Sequence, residues 1–443
     1  MSIFVAVLAI MSSNRKISIL PLLVVNFIGT LGYSIVLPSL VYMVHQFRGN
    51  EFLYGAVGAT YSAFELLGSP ILGRLSDRYG RKKILFVSSL GSALGWTLFL
   101  IALYLPVSNL VSFSDNTLGL TIITVPLALL FVARAIDGLT AGDISVANAY
   151  LADITTQEER KADFGKLGVA ANLGFVIGPA LAGVLAETVY GLTLPVVAAL
   201  ATTIIALVLI VWKLPESRPR PSHEAFDQGL GKNLGRSSKE CYKAEKPERM
   251  TLKGAFKLEG IPILIAIYFV FFLAFSMFVA AMPLYGTETL HWSTGEMGAF
   301  FSVLSIVIVL TEGPILSWLN QSVSAEALTI WGTFIVVLSY LALLVPNTAM
   351  AYLAAVLYAL GNGLMWPSFL SLLSNHAGEE NQGYIQGIGN SAGSLASICG
   401  LLVGGALFAH LHGAIFCIPA GLVFIVFTMS FALLRKRVPA VSS

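Results

Sequence analysis

Gly73-Arg74-Leu75-Ser76-Asp77-Arg78-Tyr79-Gly80-Arg81-Lys82-Lys83 lies between two apolar runs, at approximately 54–73 and 84–105, and it fixes what those runs must be. Five cations in eleven residues cannot enter hydrocarbon. The segment is therefore a short polar connection between two stretches long enough to cross a bilayer as helices. Gly73 and Gly80 are expected to allow close backbone approach and a tight turn. Asp77 is expected to meet a helix N-terminus, with Arg78, Arg81 and Lys82 anchoring the segment at a cytoplasmic face. A generic basic loop explains the cations but not two glycines and an aspartate at these spacings.

The rest of the chain agrees with that reading. Its 443 residues are 56% hydrophobic and 11% charged, with a mean hydropathy of +0.81. Soluble domains carry about 25% charge, so a water-soluble globular protein and a disordered chain are both excluded. Ten further apolar runs, at approximately 17–44, 120–148, 165–187, 192–212, 260–285, 297–319, 327–346, 350–373, 384–409 and 413–434, bring the total to twelve. This predicts an all-α membrane protein with twelve transmembrane helices. Of the 26 Lys and Arg, 24 fall on one side of such a topology, leaving Arg48 in an opposite loop and Arg134 inside a run. The positive-inside rule then places both termini in the cytoplasm, and a cell inner membrane is expected.

The polar stretch 213–259, with Pro215, Pro219 and Pro221, is expected to tether two six-helix bundles, 1–212 and 260–443. Residues 3–11 are apolar but lack a positive flank and are too short to span, so no cleaved signal peptide is expected and Met11 is open as the start. Short echoes support an internal repeat: Ser69-Pro70-Ile71-Leu72 with Gly313-Pro314-Ile315-Leu316, Glu158-Glu159 with Glu379-Glu380, and Gly178 and Gly183 with Gly400 and Gly405. A duplicated bundle puts a cavity between its halves.

These residues and motifs carry a resemblance. The segment Gly73–Lys83 is similar to the signature loop of the major facilitator superfamily. Arg134-Ala135-Ile136-Asp137-Gly138-Leu139-Thr140-Ala141-Gly142 resembles the span 4 motif of its twelve-span drug:proton antiporters, including the tetracycline-efflux branch, in which a buried Arg is linked to proton coupling. Gly174-Phe175-Val176-Ile177-Gly178-Pro179-Ala180-Leu181-Ala182-Gly183 resembles the span 5 motif of its exporters. The resemblance implies the major facilitator fold, with switching carried by the signature loop and by Gly174, Gly178, Pro179 and Gly183. Two departures stand out. Many relatives carry an acidic residue in span 1 where this chain has Gly29, and the C-terminal copy of the loop, Ser317-Trp318-Leu319-Asn320-Gln321, has lost every charge.

Five ionisable residues lie well inside runs: Glu65, Arg134, Asp137, Asp143 and Glu312. Each costs about 2.5–3.5 kcal/mol near a bilayer centre on the insertion scale, so inward-facing, partnered sites are expected. Arg134 and Asp137 are three apart on one helix face and can pair, either structurally or for coupling. Glu65, Arg134, Asp137 and Glu312 are the proton-coupling candidates. Glu312 has no cation between Lys257 and Arg435 unless it reaches across the cavity. Asp143, nearer the cytoplasmic end, is read as a structural hydrogen-bonding residue. For the spaced glycines, helix packing and gating carry equal weight. Asn26, Tyr33, Phe275, Trp366 and Asn390 are put forward as cavity residues for a small-molecule substrate, while lipid-facing positions would explain the aromatics equally well.

Cys241, Cys399 and Cys417 form no disulfide or metal pattern, and His410 and His412 are read as interfacial. No phosphate-binding, dinucleotide or nucleophile-elbow motif is present, so no cofactor, metal, nucleic acid or enzymatic activity is expected. A monomer is expected, with the lipid bilayer, protons and substrate as partners. Proton-coupled efflux leads; uptake of a nutrient or metal chelate, and a receptor or scaffold without transport, are the competitors.

Overall fold

The computed structural model describes residues 18–115, 119–155, 157–217, 252–258, 260–378 and 381–435. The tether expected at 213–259, the charges at Arg15, Lys16, Lys436 and Arg437, Met11 and Cys241 lie wholly or largely outside them. Ten described segments are long and apolar enough to cross a membrane. The last, Tyr384–Phe431, holds two helices, Gln382–Leu411 and Cys417–Arg435, joined by a 3-10 turn at His412–Phe416. The helix Glu51–Tyr79, whose end carries the basic segment, adds another, so the fold is compatible with twelve crossings.

Span 1 is Leu20–Gln46, span 2 Glu51–Tyr79 and span 3 Arg81–Tyr104. Span 4 does not begin near residue 120. Residues 109–115 (β1) and 119–124 (β2) form an antiparallel hairpin, and the helix starts at Val125 with Pro126 in its first turn. The run Leu120-Thr121-Ile122-Ile123-Thr124 is apolar but β-branched, which favours a strand before that proline. Span 4 is itself broken, Val125–Leu139 and then Asp143–Ile154. Spans 5 and 6 are Gln157–Ala186 and Thr193–Lys213; spans 7, 9 and 10 are Ile261–Glu288, Ala325–Ala342 and Thr348–Ala377. Span 8 runs from Thr294 to Leu319 through a π-helical turn, Thr311–Ile315, in which Pro314 supplies no N–H to an α-type bond.

Alternating crossings put the ends of spans 2, 4, 6, 8 and 10 at the basic side. The two halves seal at the other end. Tyr42 Oη donates to the Trp292 carbonyl at 2.7 Å, His45 Nε2 lies 3.8 Å from Glu288 Oε1, and Ser293 Oγ donates to Glu187 Oε1 at 3.4 Å. Glycines bring the helices close at the same end. Span 8 meets span 5 where Gly298 faces Gly183, and span 11, Gln382–Leu411, meets span 2 where Gly405 faces Gly55. Backbones without Cβ atoms approach closely, which is how membrane helices pack without a hydrophobic driving force.

Candidate functional site

The signature segment is mostly helix rather than loop. Residues 73–79 complete span 2, and the helix breaks at Gly80, whose φ of +101° suits glycine alone. Among the described residues nothing comes within 4 Å of where a Cβ on Gly73 would sit, so its expected role in close approach or a turn is not what the structure shows. Asp77 is not at a helix N-terminus; it pairs with Arg81 at 2.6 Å and stays 66% exposed. The N-terminus of span 3 is taken instead by Glu216, which accepts from the backbone N–H of Arg81 at 2.7 Å and of Lys82 at 3.4 Å. Arg81, buried, also donates to Ser76 and to Asp153 Oδ2 at 3.1 Å, and Ser217 donates to the same carboxylate oxygen. Lys82 Nζ reaches the Val211 carbonyl at 2.8 Å, while Arg78 is exposed over the Tyr79 ring. Glu216→Ala therefore should cost about 0.5–2 kcal/mol, a capping loss, and Asp77→Asn at most about 1 kcal/mol. Thermal unfolding of the purified variants checks this order.

In the first half a chamber of about 220 Å³ gathers Glu65, Asp137 and Asp143 with Tyr33, Ser88, Ser92 and Gly29. Arg134 is 2% exposed and Asp137 5%. They pair at 3.6 Å, and Ser92 donates to Asp137 at 2.7 Å. The guanidinium also lies 5.0–5.9 Å from the ring centres of Tyr33, Tyr61, Trp96 and Phe99, an arrangement that holds a cation in apolar surroundings. Asp143 also lines the chamber, with Oδ2 3.8 Å from where a Cβ on Gly29 would sit. Span 4 thus supplies a carboxylate beside the place where span 1 has none.

A second cavity, of about 330 Å³, lies between the halves on the basic side of the seal. Its lining runs over 172–179 on span 5 and 301–309 on span 8, beyond Gly183 and Gly298. Phe271, Phe272, Phe275, Phe278, Tyr358 and Trp366 form an aromatic cluster in the wall, with Phe271 and Trp366 stacked at 5.9 Å and Phe278 and Tyr358 at 5.1 Å. Asn172, Ser305 and Asn362 are the polar exceptions. Asn172 donates to Glu312 Oε2 at 3.3 Å, so Glu312, carried on the π turn, does reach across to the other half.

Phe275 and Trp366 therefore line the cavity together, whereas the other three cavity candidates lie elsewhere. Tyr33 is in the acidic chamber, Asn26 donates to the Leu167 carbonyl at 3.1 Å, and Asn390 is exposed and accepts from Tyr268 Oη at 2.8 Å. Gly174 and Gly178 fit span 5 against Thr30 and Ser34 of span 1, within one half. Gly183 and Pro179 face span 8, between the halves. Among the described residues no cluster could hold a metal ion.

A family model described as Major Facilitator Superfamily matches residues 22–398 and 314–443. The chain is 25% identical to the class H tetracycline resistance protein of Pasteurella multocida, covering 94% of each chain. It is 26% identical to multidrug resistance protein 2 of Bacillus subtilis (strain 168), covering 90% of each. Among solved structures, a D-xylose-proton symporter superposes with a TM-score of 0.70 at 16% identity, over 93% of this chain and 97% of that one.

Proposed function

The chain belongs to the Major Facilitator Superfamily, and on that premise we propose that it is a proton-coupled antiporter exporting a small amphiphilic molecule by alternating access. The observation that carries this reading is the pairing of two compartments. A chamber with three carboxylates and one neighbouring, buried Arg lies beside an aromatic cavity that the halves seal at one end. One Arg cannot offset three carboxylates, so proton occupancy is expected to depend on which end is open. The cavity offers an apolar body many ring contacts and few hydrogen bonds. The relatives named for tetracycline and multidrug resistance support export.

In this proposal 1–212 and 260–443 rock about the site, 213–259 tethers them, both termini are cytoplasmic, and the protein acts as a monomer in the inner membrane. Glu65, Asp137 and Glu312 exchange protons, with Arg134 setting their balance. Gly183 and Pro179 form the moving contact with span 8. Proton release on substrate addition to the detergent-solubilised protein tests the coupling. Release is expected in the wild type and should fall at least severalfold in Glu65→Gln or Asp137→Asn; undiminished release in those variants and in Glu312→Gln would refute it. Flux in proteoliposomes with an imposed pH gradient, run in both directions, separates export from uptake. Reporter fusions test the orientation: those after Ser112, on β1, and after Thr287 should report the outside, and one after Lys239 the cytoplasm.

A further inference from the structure

We infer that the hairpin between spans 3 and 4 is a lipid anchor, with strand β1 set into the boundary between headgroups and acyl chains in the leaflet at the sealed end. This goes beyond transport and does not depend on its direction. Other connections at that end are short turns such as 47–50 and 289–293, whereas spans 3 and 4 are joined through 105–124. The long connection is also poor in charge. From Ile84 to Ala133 the sequence holds one charged residue, Asp115, at the end of β1. Leu110 is 56% exposed, Val111 54% and Phe113 41%. In water, an apolar strand with a free edge is a site of aggregation.

The patch continues a surface that already faces lipid. Leu90, Leu94, Ile101 and Tyr104 are exposed on one face of span 3, and Val107 and Leu110 extend that apolar surface past the end of the helix. Tyr104 stands at the junction, where an apolar ring with a polar tip suits the membrane interface. The hairpin is held at this depth. Thr124 Oγ1 donates to the Phe47 carbonyl at 3.0 Å and Asn50 Nδ2 donates to Thr121 Oγ1 at 3.0 Å, so β2 is clipped to the turn between spans 1 and 2. Phe113 pairs with Thr121 across the hairpin and shares its level. The free edge of β1 limits insertion, because its N–H and C=O groups need water or headgroup oxygens that hydrocarbon lacks. The boundary region satisfies both the side chains and the edge. Through the clip, lipid then holds the end of span 1 that carries Tyr42 and His45 of the seal.

The test places nitroxide labels on the full-length protein in phosphatidylcholine vesicles, with Cys241, Cys399 and Cys417 replaced by Ser. Relaxation by oxygen, which concentrates in lipid, is compared with relaxation by a nickel chelate present on both sides. Tyr104→Cys marks the lipid boundary, and Gln321→Cys, exposed in the polar turn after span 8, marks water. Labels at Val111→Cys and Phe113→Cys should give an oxygen-to-nickel ratio at least threefold above that at Gln321→Cys. A label at Leu110→Cys should give the same high ratio and lose it severalfold when Val111→Asp and Phe113→Asp are added, in protein that unfolds at the wild-type temperature. Ratios at 111 and 113 equal to the water reference overturn the anchor. So does spin–spin broadening at these positions that vanishes on dilution with unlabelled protein, which would make a second copy of the chain the occupant. Gradient-driven flux is scored separately: its absence defeats the export reading and leaves the ratios as they are.

Discussion

Arg134→Ala should abolish gradient-driven transport and lower the stability of the first half by about 3–5 kcal/mol, the usual cost of removing one partner from a buried ion pair. The substitution leaves Asp137, 5% exposed, with the Ser92 hydroxyl as its side-chain donor, and empties the ring cluster around the guanidinium. Thermal unfolding in detergent and flux in proteoliposomes measure the two losses. The double variant Arg134→Leu with Asp137→Leu separates them. Removing both charges should recover most of the stability, because an apolar pair of similar volume is often as good. Transport should stay absent, and wild-type flux in the double variant would make the pair purely structural.

Gly298→Leu should prevent the seal from closing and reduce transport more than tenfold. A Cβ at Gly298 would collide with the Pro179 carbonyl and with the backbone of Gly183, none of which can rotate away. On the alternating-access proposal these helices separate when the sealed end opens, so the substitution should shift the population rather than unfold the chain. Spin labels at Val189 and Val345, both exposed at the sealed end, should move to longer separations. Gly73→Ala is the contrast. With open space around that position and a helical backbone, it should leave the separations unchanged and add up to about 1 kcal/mol of helix stability. Unchanged label separations in Gly298→Leu would remove the seal from the switching mechanism.

The spans are legible in the sequence because burial in hydrocarbon leaves a mark on every residue of a run. So is the Arg134–Asp137 pair, since three-residue spacing on a helix dictates proximity. The hairpin at 109–124 is not, because its second strand is as apolar as the span it precedes. Contacts between distant segments are also hidden. Glu216 caps span 3 from 135 residues away, and nothing local to Asp77 says that another carboxylate has taken the N-terminus. Asp143 looks peripheral by depth along span 4. The break at 140–142 restarts the helix and puts its carboxylate beside Gly29, a consequence of backbone geometry that periodicity does not encode. Tyr33 belongs to the chamber rather than the cavity for a related reason: one helix face can border two spaces.

The wide turn Thr311–Ile315 makes the length of span 8 matter more than its composition. A π turn holds one residue more than an α turn, so everything before it is rotated about 100° relative to everything after it. Gly298, which touches span 5, and Trp318, near the basic end, are phased across that extra residue. Closing the turn to regular α geometry at full length, as replacement of Pro314 would allow, should therefore turn Gly298 away from Gly183. Excising a single residue would instead restore regular α geometry with Gly298 still facing Gly183. A one-residue deletion in these five positions should accordingly be better tolerated than a one-residue insertion.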